Sequence, residues 1–347
     1  MKKWDVIIIG GGIIGLSLAI ELRKRGAQVL VVERGEPGRE ASHAAAGMIA
    51  DCGDETPAIL QPLATASARM YPEFVEELQD ASGMNVDLRG QGTLLLRSPE
   101  SRSLTRNPVP LKELEPALSN CQYLAVYLKE RSVDPRALVS AALKAAKHRG
   151  LDVSSGAAIK EVLISDGRAM GVASDKTTYS APVVVNCAGA WAGQFSPLHF
   201  PARPVKGQML AVAAPRLLQH VIRAPDVYLV PRTDGRILIG STLEDAGYDK
   251  RTDPATIQRM HKAAMSLIPA LEGARLLEDW AGLRPGTPDD LPILGATSIP
   301  GYFVATGHYR DGIMLAPITA RLMAQVIVGE NCEYDISSFS PARFDSQ

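Results

Sequence analysis

Apolar and glycine positions at the start of the chain follow the order of a strand, a turn, a helix and a second strand. Residues 6–9 are four consecutive β-branched residues, a pattern typical of a strand buried on both faces of a parallel sheet. The glycine-rich residues 10–15 follow, and residues 16–25 then carry apolar side chains at helical spacing. Gly26 ends that helix, and residues 28–33 form a second apolar run. This order predicts a βαβ unit with a right-handed crossover.

Further strand and helix patterns occupy the rest of the chain. Proline in the first turn and glycine at the end mark residues 135–150 as a helix. Turn residues predict one hairpin at Thr233-Asp234-Gly235, and a small ribbon made of residues 153–164 and 171–179 with its turn at Asp166-Gly167. The remaining predicted elements are strands at residues 183–186, 228–231, 236–239 and 302–305, and helices at residues 256–268 and 312–328.

The order of these patterns bears on domain organisation. At ~150 residues per domain, 347 residues correspond to about two domains. Strand–helix signals of a nucleotide-binding fold occur at both ends and near residue 185, with antiparallel-looking material between them. We therefore expect an α/β protein in which one domain is built from separated stretches of chain.

Composition and charge exclude several classes. A formal net charge of −1 argues against a nucleic-acid-binding protein, which normally carries a basic excess. The four cysteines are widely spaced without a C-x-x-C pair, which suits a reducing compartment and gives neither a disulfide framework nor a zinc site. The six histidines contain no H-x-x-x-H, so we expect no metal. The apolar run at residues 6–20 is shorter than the ~20 residues of a membrane span, so we expect a cytoplasmic protein.

The strongest motif is Gly10-x-Gly12-x-x-Gly15, directly after a strand and at the start of a helix. Such glycines permit a tight turn and close backbone approach to a pyrophosphate, which binds at the helix N-terminus. Glu33, at the end of the next strand, is the residue type that accepts hydrogen bonds from ribose hydroxyls. The motif indicates FAD or NAD; the alternative is a glycine-rich turn that binds no nucleotide.

A run of small residues, Ser42 to Met48 (SHAAAGM), follows the second strand. Small side chains let the backbone approach a flat ring or a phosphate, but they also suit a tightly packed helix start. The sequence leaves both interpretations open.

Two arginines are candidates for binding a carboxylate. Arg284 and Arg310 each follow an apolar strand, in turns made rigid by glycine or proline. A planar guanidinium binds a carboxylate bidentately, so fixed arginines suit substrate anchoring. The alternative is an internal ion pair with Asp289, Asp290 or Asp311.

Three further features belong to the same predicted pocket. Tyr228 is a candidate roof over a small pocket, or else a core tyrosine. His308 is a candidate for tuning a flavin edge, or else a structural histidine. The helix that begins near Gly312 has its N-terminus beside the Arg310 turn, where its dipole favours an anionic reduced flavin.

Taken together, the motifs resemble the glycine oxidases of the D-amino-acid oxidase family, which are FAD-dependent amine oxidases. The resemblance runs in family order over essentially the whole chain, in the blocks VIIIGGGIIG, SHAAAGM, PVKGQ, YLVPRTDGRILIGST, WAGLRPGTPDDLPILG and ATGHYRDGIMLAPITA. It implies a Rossmann-like FAD-binding domain of the glutathione-reductase type and an α+β substrate domain built on an antiparallel sheet. The implied FAD-binding domain comprises residues 1–85, 131–204 and 278–347; the substrate domain comprises residues 86–130 and 205–277.

The resemblance also implies site residues. It assigns the substrate carboxylate to Arg284 and Arg310 and an active-site role to Tyr228. No side chain has to act as a catalytic base, because the flavin carries the chemistry. The implied cofactor-binding residues are Gly10, Gly12, Ile13, Ile14, Gly15, Glu33, Arg34, Ala41, Ser42, Ala46, Gly47, Met48, Ile159, Gly189, His308, Tyr309, Arg310, Asp311, Gly312, Ile313 and Met314.

The implied reaction is oxidative deamination of glycine or another small amino acid. A hydride passes to flavin N5, dioxygen reoxidises the flavin to give hydrogen peroxide, and the imine yields an oxo acid and ammonia or serves thiamine (thiazole) biosynthesis. The alternatives are a sarcosine or D-amino-acid oxidase or dehydrogenase, an NAD-linked dehydrogenase, and a non-catalytic FAD-binding subunit of a larger complex. We expect non-covalent FAD, because no cysteine aligns near the flavin ring, and a homo-oligomer without a membrane span. The stretch from Arg97 to Pro108 is shorter than in many relatives, which leaves the exact substrate open.

Overall fold

The computed structural model describes residues 3–51, 56–99 and 108–344. Cys52 lies outside the described residues, and so do residues 100–107 of the stretch between Arg97 and Pro108. The described strands are β1 (Val6–Ile9), β2 (Val29–Glu33), β3 (Met48–Ile49), β4 (Leu88–Arg89), β5 (Thr93–Arg97), β6 (Leu124–Leu128), β7 (Arg131–Val133), β8 (Asp152–Ser155), β9 (Ile159–Ser165), β10 (Arg168–Ser174), β11 (Thr178–Ser180), β12 (Val183–Asn186), β13 (Arg203–Ala213), β14 (Val221–Arg223), β15 (Tyr228–Pro231), β16 (Arg236–Gly240), β17 (Arg275–Gly286), β18 (Ile293–Ala296) and β19 (Tyr302–Thr306). The described α-helices are α1 (Ile13–Lys24), α2 (Ala41–Ala44), α3 (Gln61–Ser82), α4 (Leu111–Leu114), α5 (Pro135–His148), α6 (Pro254–Leu267) and α7 (Gly312–Val328).

The first large sheet has the strand order β18-β19-β12-β1-β2-β8 within the described residues. Its strands are parallel except for β18, which pairs antiparallel with β19. The predicted βαβ unit is confirmed, with α1 beginning at Ile13, on the last residues of the glycine-rich turn. Ile7 and Ile8 of β1 are fully buried, as the β-branched run predicts for a strand covered on both faces.

One strand prediction is wrong in part. Residues 153–155 were expected in the small ribbon, but they belong to β8, which pairs parallel with β2 through Val31 and Val153. The ribbon contains β9, β10 and β11 instead, with the predicted turn at Asp166-Gly167. An alternating pattern predicts a strand but not its partner, because the partner of β8 lies more than a hundred residues away along the chain.

The second large sheet, called the substrate sheet below, has the order β17-β13-β16-β15-β14-β5-β6. Its neighbours pair antiparallel except for β14 and β5, and the predicted hairpin of β15 and β16 is confirmed. Helix α6 packs on one face, where Ile257 and Met260 join a core with Leu210 and Ile239. The other face carries the apolar side chains Met209, Val230 and Leu238, which pack against Ala46.

Two of the expected domain boundaries cut through strands. The cuts at 204/205 and 277/278 fall inside β13 and β17, which pair from Arg203–Gly286 to Ala213–Arg275 with one register shift, at Leu277. Residues 203–204 and 278–286 are therefore part of the substrate sheet, because they pair with the neighbouring strand.

A helical layer positions the start of α7, which borders the site. Helices α1, α3, α5 and α7 share one core against the first sheet, with the fully buried Tyr71 of α3 among them. The hydroxyls of Tyr71 and Ser67 donate to the carbonyls of Ile313 (2.5 Å) and Met314 (2.6 Å) in the first turn of α7. In the described part of the chain, no helix combines the length and the apolar character needed to cross a membrane.

Candidate active site

A cavity of about 570 Å³ lies between the first sheet and the apolar face of the substrate sheet. Its walls include Gly10, Glu33 and Cys187, at the carboxyl ends of β1, β2 and β12, and Gly207 and Tyr228 of the substrate sheet. Ligands of open α/β sheets bind beyond the carboxyl ends of the strands. All the predicted substrate and cofactor residues line this cavity except Gly15 and Met314.

The glycine motif forms a close turn onto α1. Gly10 has a φ of +110°, and a Cβ there would lie 2.4 Å from the carbonyl oxygen of Cys187. Gly12 is the N-cap of α1 and lines the cavity with Ile13 and Ile14, so the positive end of the helix borders the cavity. A Cβ on Gly15 would lie 2.0 Å from the Gly10 carbonyl oxygen. Gly15 therefore permits close packing between helix and turn and is not among the residues that line the cavity.

Glu33 is fixed at the end of β2. Its Oε2 accepts a hydrogen bond from the Gly11 N–H (2.9 Å) and its Oε1 accepts one from the Gly35 N–H (2.9 Å). The carboxylate thus lies beside the glycine turn, with lone pairs left for hydroxyl donors. Next to it, the Arg34 guanidinium carbon lies 3.6 Å from the ring centre of Trp191, and both residues line the cavity.

The small-residue run begins as a tightly packed helix and continues along the cavity wall. Residues 41–44 form the short helix α2, and residues 45–48 continue along the cavity wall, with Ala45 extended and Gly47 at a φ of +74°. Ser42 Oγ accepts a hydrogen bond from the Ile13 N–H (3.1 Å) at the start of α1. Gly282 of β17 admits α2 closely, because a Cβ there would lie 2.3 Å from Ala44 Cβ.

Arg284 lies within strand β17, and the expectation of a turn is wrong. Its guanidinium lies flat on Gly207 of β13, where a Cβ would come within 2.3 Å of Nη1. Nη2 donates to Ser241 Oγ (2.7 Å) and Nη1 donates to the Thr242 carbonyl (3.2 Å). Asp289, one suggested ion-pair partner, is instead paired with Arg343 at 2.8 Å.

Tyr228 lies along the substrate sheet and lines the same cavity as this arginine. Its ring covers Gly240, where a Cβ would come within 2.7 Å of the ring Cζ and of Oη. The hydroxyl is 3.6 Å from Met209 Sδ. Two glycines, Gly207 and Gly240, thus leave the space in which Arg284 and Tyr228 rest against the sheet.

The turn before α7 forms the third wall. Arg310 lines the cavity in this turn, which is held by hydrogen bonds from Tyr309 N–H to the Pro285 carbonyl (3.0 Å) and from Asp311 N–H to the His308 carbonyl (2.8 Å). Met314 was expected at the cofactor but is buried in the helical layer, away from the cavity.

His308 is neutral at physiological pH. Its Nε2 is 3.1 Å from Thr319 Oγ1, and burial lowers the pKa of the imidazole to about 3. A neutral imidazole brings no positive charge to this wall.

Sequence reasoning missed several wall residues. Arg223 of β14 pairs directly with Tyr228 of β15, so both side chains share the cavity face. Its Nη1 lies 3.5 Å from both carboxylate oxygens of the buried Glu130. No motif marks Arg223, whereas Ser241 and Gly207 belong to the blocks YLVPRTDGRILIGST and PVKGQ and were detectable there.

These walls fit FAD. One end offers a glycine turn, a helix N-terminus and a fixed carboxylate, and the other end offers small residues and the start of α7. Among the described residues, no group of three or more His, Cys, Asp or Glu side chains is placed to hold a metal ion.

Comparisons with known proteins identify the family. The sequence profile of the DAO family, FAD dependent oxidoreductase, matches residues 5–326. The chain is 36% identical to the bifunctional protein ThiO/ThiG of Trichormus variabilis over 99% of this chain and 55% of that protein, so it spans about half the length of that relative. It is 33% identical to glycine oxidase of Pseudomonas aeruginosa, covering 97% of this chain and 98% of that one.

A solved structure agrees with the sequence comparison. The crystal structure of glycine oxidase from Geobacillus kaustophilus superposes with a TM-score of 0.93 at 31% identity, covering 99% of both chains. The expected fold class, an FAD-binding α/β domain with a mostly antiparallel substrate sheet, is confirmed. The chain belongs to the DAO family of FAD-dependent oxidoreductases, as the resemblance implied.

Proposed function

We propose that the protein binds FAD non-covalently and oxidises glycine or another small amino acid to the imine or oxo acid, with release of ammonia and hydrogen peroxide. One observation carries the proposal: Arg284, held by Ser241 and Thr242, lines the same cavity as Arg310, Tyr228 and the dinucleotide-binding turn. The likeness to glycine oxidases supports the substrate class.

The chain's own residues would hold the cofactor at two places. The N-terminus of α1 and Glu33 would bind the pyrophosphate and ribose, and residues 44–48 and the start of α7 would border the flavin. When bound, FAD supplies a hydride acceptor whose electrons then reduce dioxygen. Cys187 is the described cysteine on the wall, and burial raises the pKa of its thiol, which leaves it a poor nucleophile and supports non-covalent binding.

The role of the protein is then orientation and charge. Arg284 and Arg310 bind the substrate carboxylate, and Tyr228 lies on the adjoining wall. His308 is neutral and lies 3.1 Å from Thr319 Oγ1, and its lowered pKa makes the imidazole a poor base, so we assign it no proton transfer from the substrate amine. The N-terminus of α7 places a positive partial charge beside the same wall.

The choice among glycine, sarcosine and small D-amino acids belongs to this proposal. The structure of iminodiacetate oxidase from Chelativorans, 26% identical with a TM-score of 0.87, indicates that this fold also takes an N-substituted amino acid. Supply of the imine for thiamine biosynthesis is proposed from the likeness to ThiO/ThiG. We also predict a homo-oligomer, which size-exclusion chromatography tests. Dioxygen as the electron acceptor is a further prediction, which oxygen uptake during turnover tests.

Anaerobic mixing tests the proposal. The purified protein is mixed with glycine, sarcosine and D-alanine in turn, and loss of the flavin band at roughly 450 nm, expected of any oxidised flavin, is followed. Bleaching by at least one of them is expected, and the fastest identifies the preferred substrate.

Variants and controls complete this test. Arg284→Met should retain the flavin spectrum but require far more substrate, whereas Arg343→Met, at the Asp289 ion pair, should match the wild type. Flavin that none of these small amines bleaches would refute the proposed oxidation and support the non-catalytic subunit.

A further inference from the structure

The outer side of the small-residue wall is held by a set of hydrogen bonds that the proposed function does not explain. Four backbone carbonyls in residues 43–47 accept hydrogen bonds from groups behind the wall. The pairs are Arg136 Nε to His43 (3.4 Å), Trp280 Nε1 to Ala44 (3.1 Å), Arg232 Nη2 to Ala46, and the Val133 N–H to Gly47 (2.8 Å).

Arg232 is the buried cation of this set, and it comes from the substrate sheet. It follows β15 in the hairpin turn, is 4% exposed, and is not itself part of the cavity wall. Burial lowers its pKa to about 10, with Asp134 and Asp87 opposing the shift, so it stays protonated at neutral pH. Its Nε and Nη1 have no hydrogen-bond partner among the described residues. Burying a charged guanidinium with a single hydrogen bond, to Ala46, lowers the stability of the fold. Packing alone does not account for an arginine at this position.

The hydrogen bond from Arg232 to the Ala46 carbonyl fixes the orientation of the Ala46–Gly47 peptide. In a trans peptide the C=O and the next N–H point in opposite directions. The Ala46 carbonyl points outward to Arg232, so the Gly47 N–H points inward to the cavity that both residues line. Gly47 has a φ of +74°, and a Cβ there would lie 2.0 Å from the Val133 carbonyl oxygen, so the segment is pressed against the rear wall.

Charge acts through the same peptide. A cation on the carbonyl oxygen polarises the amide and strengthens the opposite N–H as a donor, more so in a buried setting. The reduced form of a flavin carries more negative charge on its acceptor atoms than the oxidised form. A stronger donor on the cavity side therefore stabilises the reduced form more.

We propose that Arg232 is a positioning residue through which the substrate sheet sets the Ala46–Gly47 peptide against the flavin, so that FAD binds more tightly and is more easily reduced. The inference rests on the proposed FAD-binding function, although not on the identity of the substrate. The site also links the two sheets, because the arginine follows a substrate-sheet strand while the carbonyl belongs to the cofactor wall.

Three variants test this role. Arg232→Met removes the charge and the hydrogen bond, and Arg232→Lys keeps the charge but loses the planar fork. Arg236→Met is the matched control, because Arg236 begins the other strand of the same hairpin and bonds Asp134 (2.8 Å) and Asp234 (2.7 Å), not residues 43–47. The measurements are the FAD dissociation constant, from titration of FAD into apoprotein, and the flavin midpoint potential of the holoenzyme against a redox dye.

For Arg232→Met we expect FAD binding weaker by ~10-fold or more, the loss typical of a charge-assisted hydrogen bond, and a more negative midpoint potential. Arg232→Lys should recover the potential but only part of the affinity. Arg236→Met should leave both at wild-type values while lowering the melting temperature.

Wild-type affinity and potential in Arg232→Met would overturn the proposal. Equal changes in Arg236→Met would also overturn it, because they would reflect a general loss of charge at the hairpin. If Arg232→Met yields no folded protein, Arg232→Lys decides, and unchanged FAD affinity in that variant refutes the role. A wild-type protein that binds no FAD would instead refute the proposed function. If the wild type binds FAD but oxidises no amine, the FAD dissociation constant and the midpoint potential still test the role of Arg232.

Discussion

Adding one methyl group under Arg284 should selectively damage substrate binding. Gly207 lies beneath the guanidinium, and a Cβ at this position would lie 2.3 Å from Nη1, 2.5 Å from Nη2 and 2.6 Å from Cζ. Ordinary carbon contacts lie at ~3.5 Å or more, so Gly207→Ala must displace the guanidinium by about 1.2 Å. The backbone cannot yield instead, because β13 is hydrogen-bonded to β16 and β17 on its two sides.

The size of the effect follows from the bonds that this displacement disturbs. Arg284 donates to Ser241 Oγ at 2.7 Å and to the Thr242 carbonyl at 3.2 Å. A hydrogen bond to a charged group contributes roughly 1.5–3 kcal/mol, which corresponds to about 10- to 100-fold in affinity. Because a carboxylate contact is made equally in the ground and transition states, we expect KM to rise by this factor with a smaller change in kcat.

The assay compares Gly207→Ala with Gly273→Ala, where a new Cβ meets nothing within 4 Å. Steady-state kinetics with the preferred amino acid give KM and kcat. Perturbation of the flavin spectrum by glycolate, which has a carboxylate but no amine, gives a dissociation constant that does not depend on turnover. A folded, FAD-loaded Gly207→Ala protein whose KM and glycolate affinity lie within threefold of wild type would refute the assignment of Arg284 as the carboxylate anchor.

Two further predictions concern the same walls. Ser241→Ala should weaken glycolate binding about 10-fold, because Arg284 loses its 2.7 Å acceptor, while FAD affinity stays unchanged; loss of FAD instead would contradict this view. Burial lowers the pKa of His308 to about 3, against 6.5 in the unfolded chain. Between these two pH values the unfolded chain binds a proton at this histidine and the folded protein does not. The free energy of unfolding therefore falls as the pH is lowered from 6.5 towards 3. At pH 5 this amounts to about 2 kcal/mol, so between pH 7.5 and pH 5 His308→Gln should lose less stability in urea unfolding than wild type, and equal losses would exclude a neutral buried imidazole.

The parts of the fold that local sequence predicted are those set by short-range geometry. The glycine turn before α1 follows from residues 10–15, where a side chain would strike the backbone, and the hairpin of β15 and β16 follows from Thr233-Asp234-Gly235. The strand β8 was misplaced because its hydrogen-bond partner β2 is remote in sequence.

The site shows the same division. The sequence predicted that Gly10, Gly12 and Glu33 lie together, because they belong to one βαβ unit, and the structure places all three on the cavity wall. The substrate end needed the resemblance to a family, since nothing local separates an anchoring arginine from an ion pair. The structure then replaced the expected turn around Arg284 with a strand and moved Met314 into the core.

The sequence alone determined a dinucleotide-binding unit and the existence of two fixed arginines, because backbone sterics and side-chain type act over a few residues. Only the tertiary structure decided that Arg284 lies on Gly207, that Tyr228 covers Gly240, and that Arg232 bonds the carbonyl of Ala46 from behind the cofactor wall. Arg232 lies 186 positions from Ala46, whereas Arg284 and Tyr228 each reach a glycine on the neighbouring strand of the substrate sheet. The last two contacts depend on strand register. The physical reason is that a one-residue slip of β13 or β17 would turn its side chains to the opposite face of the sheet and remove Arg284 from Gly207, leaving the glycine motif unchanged.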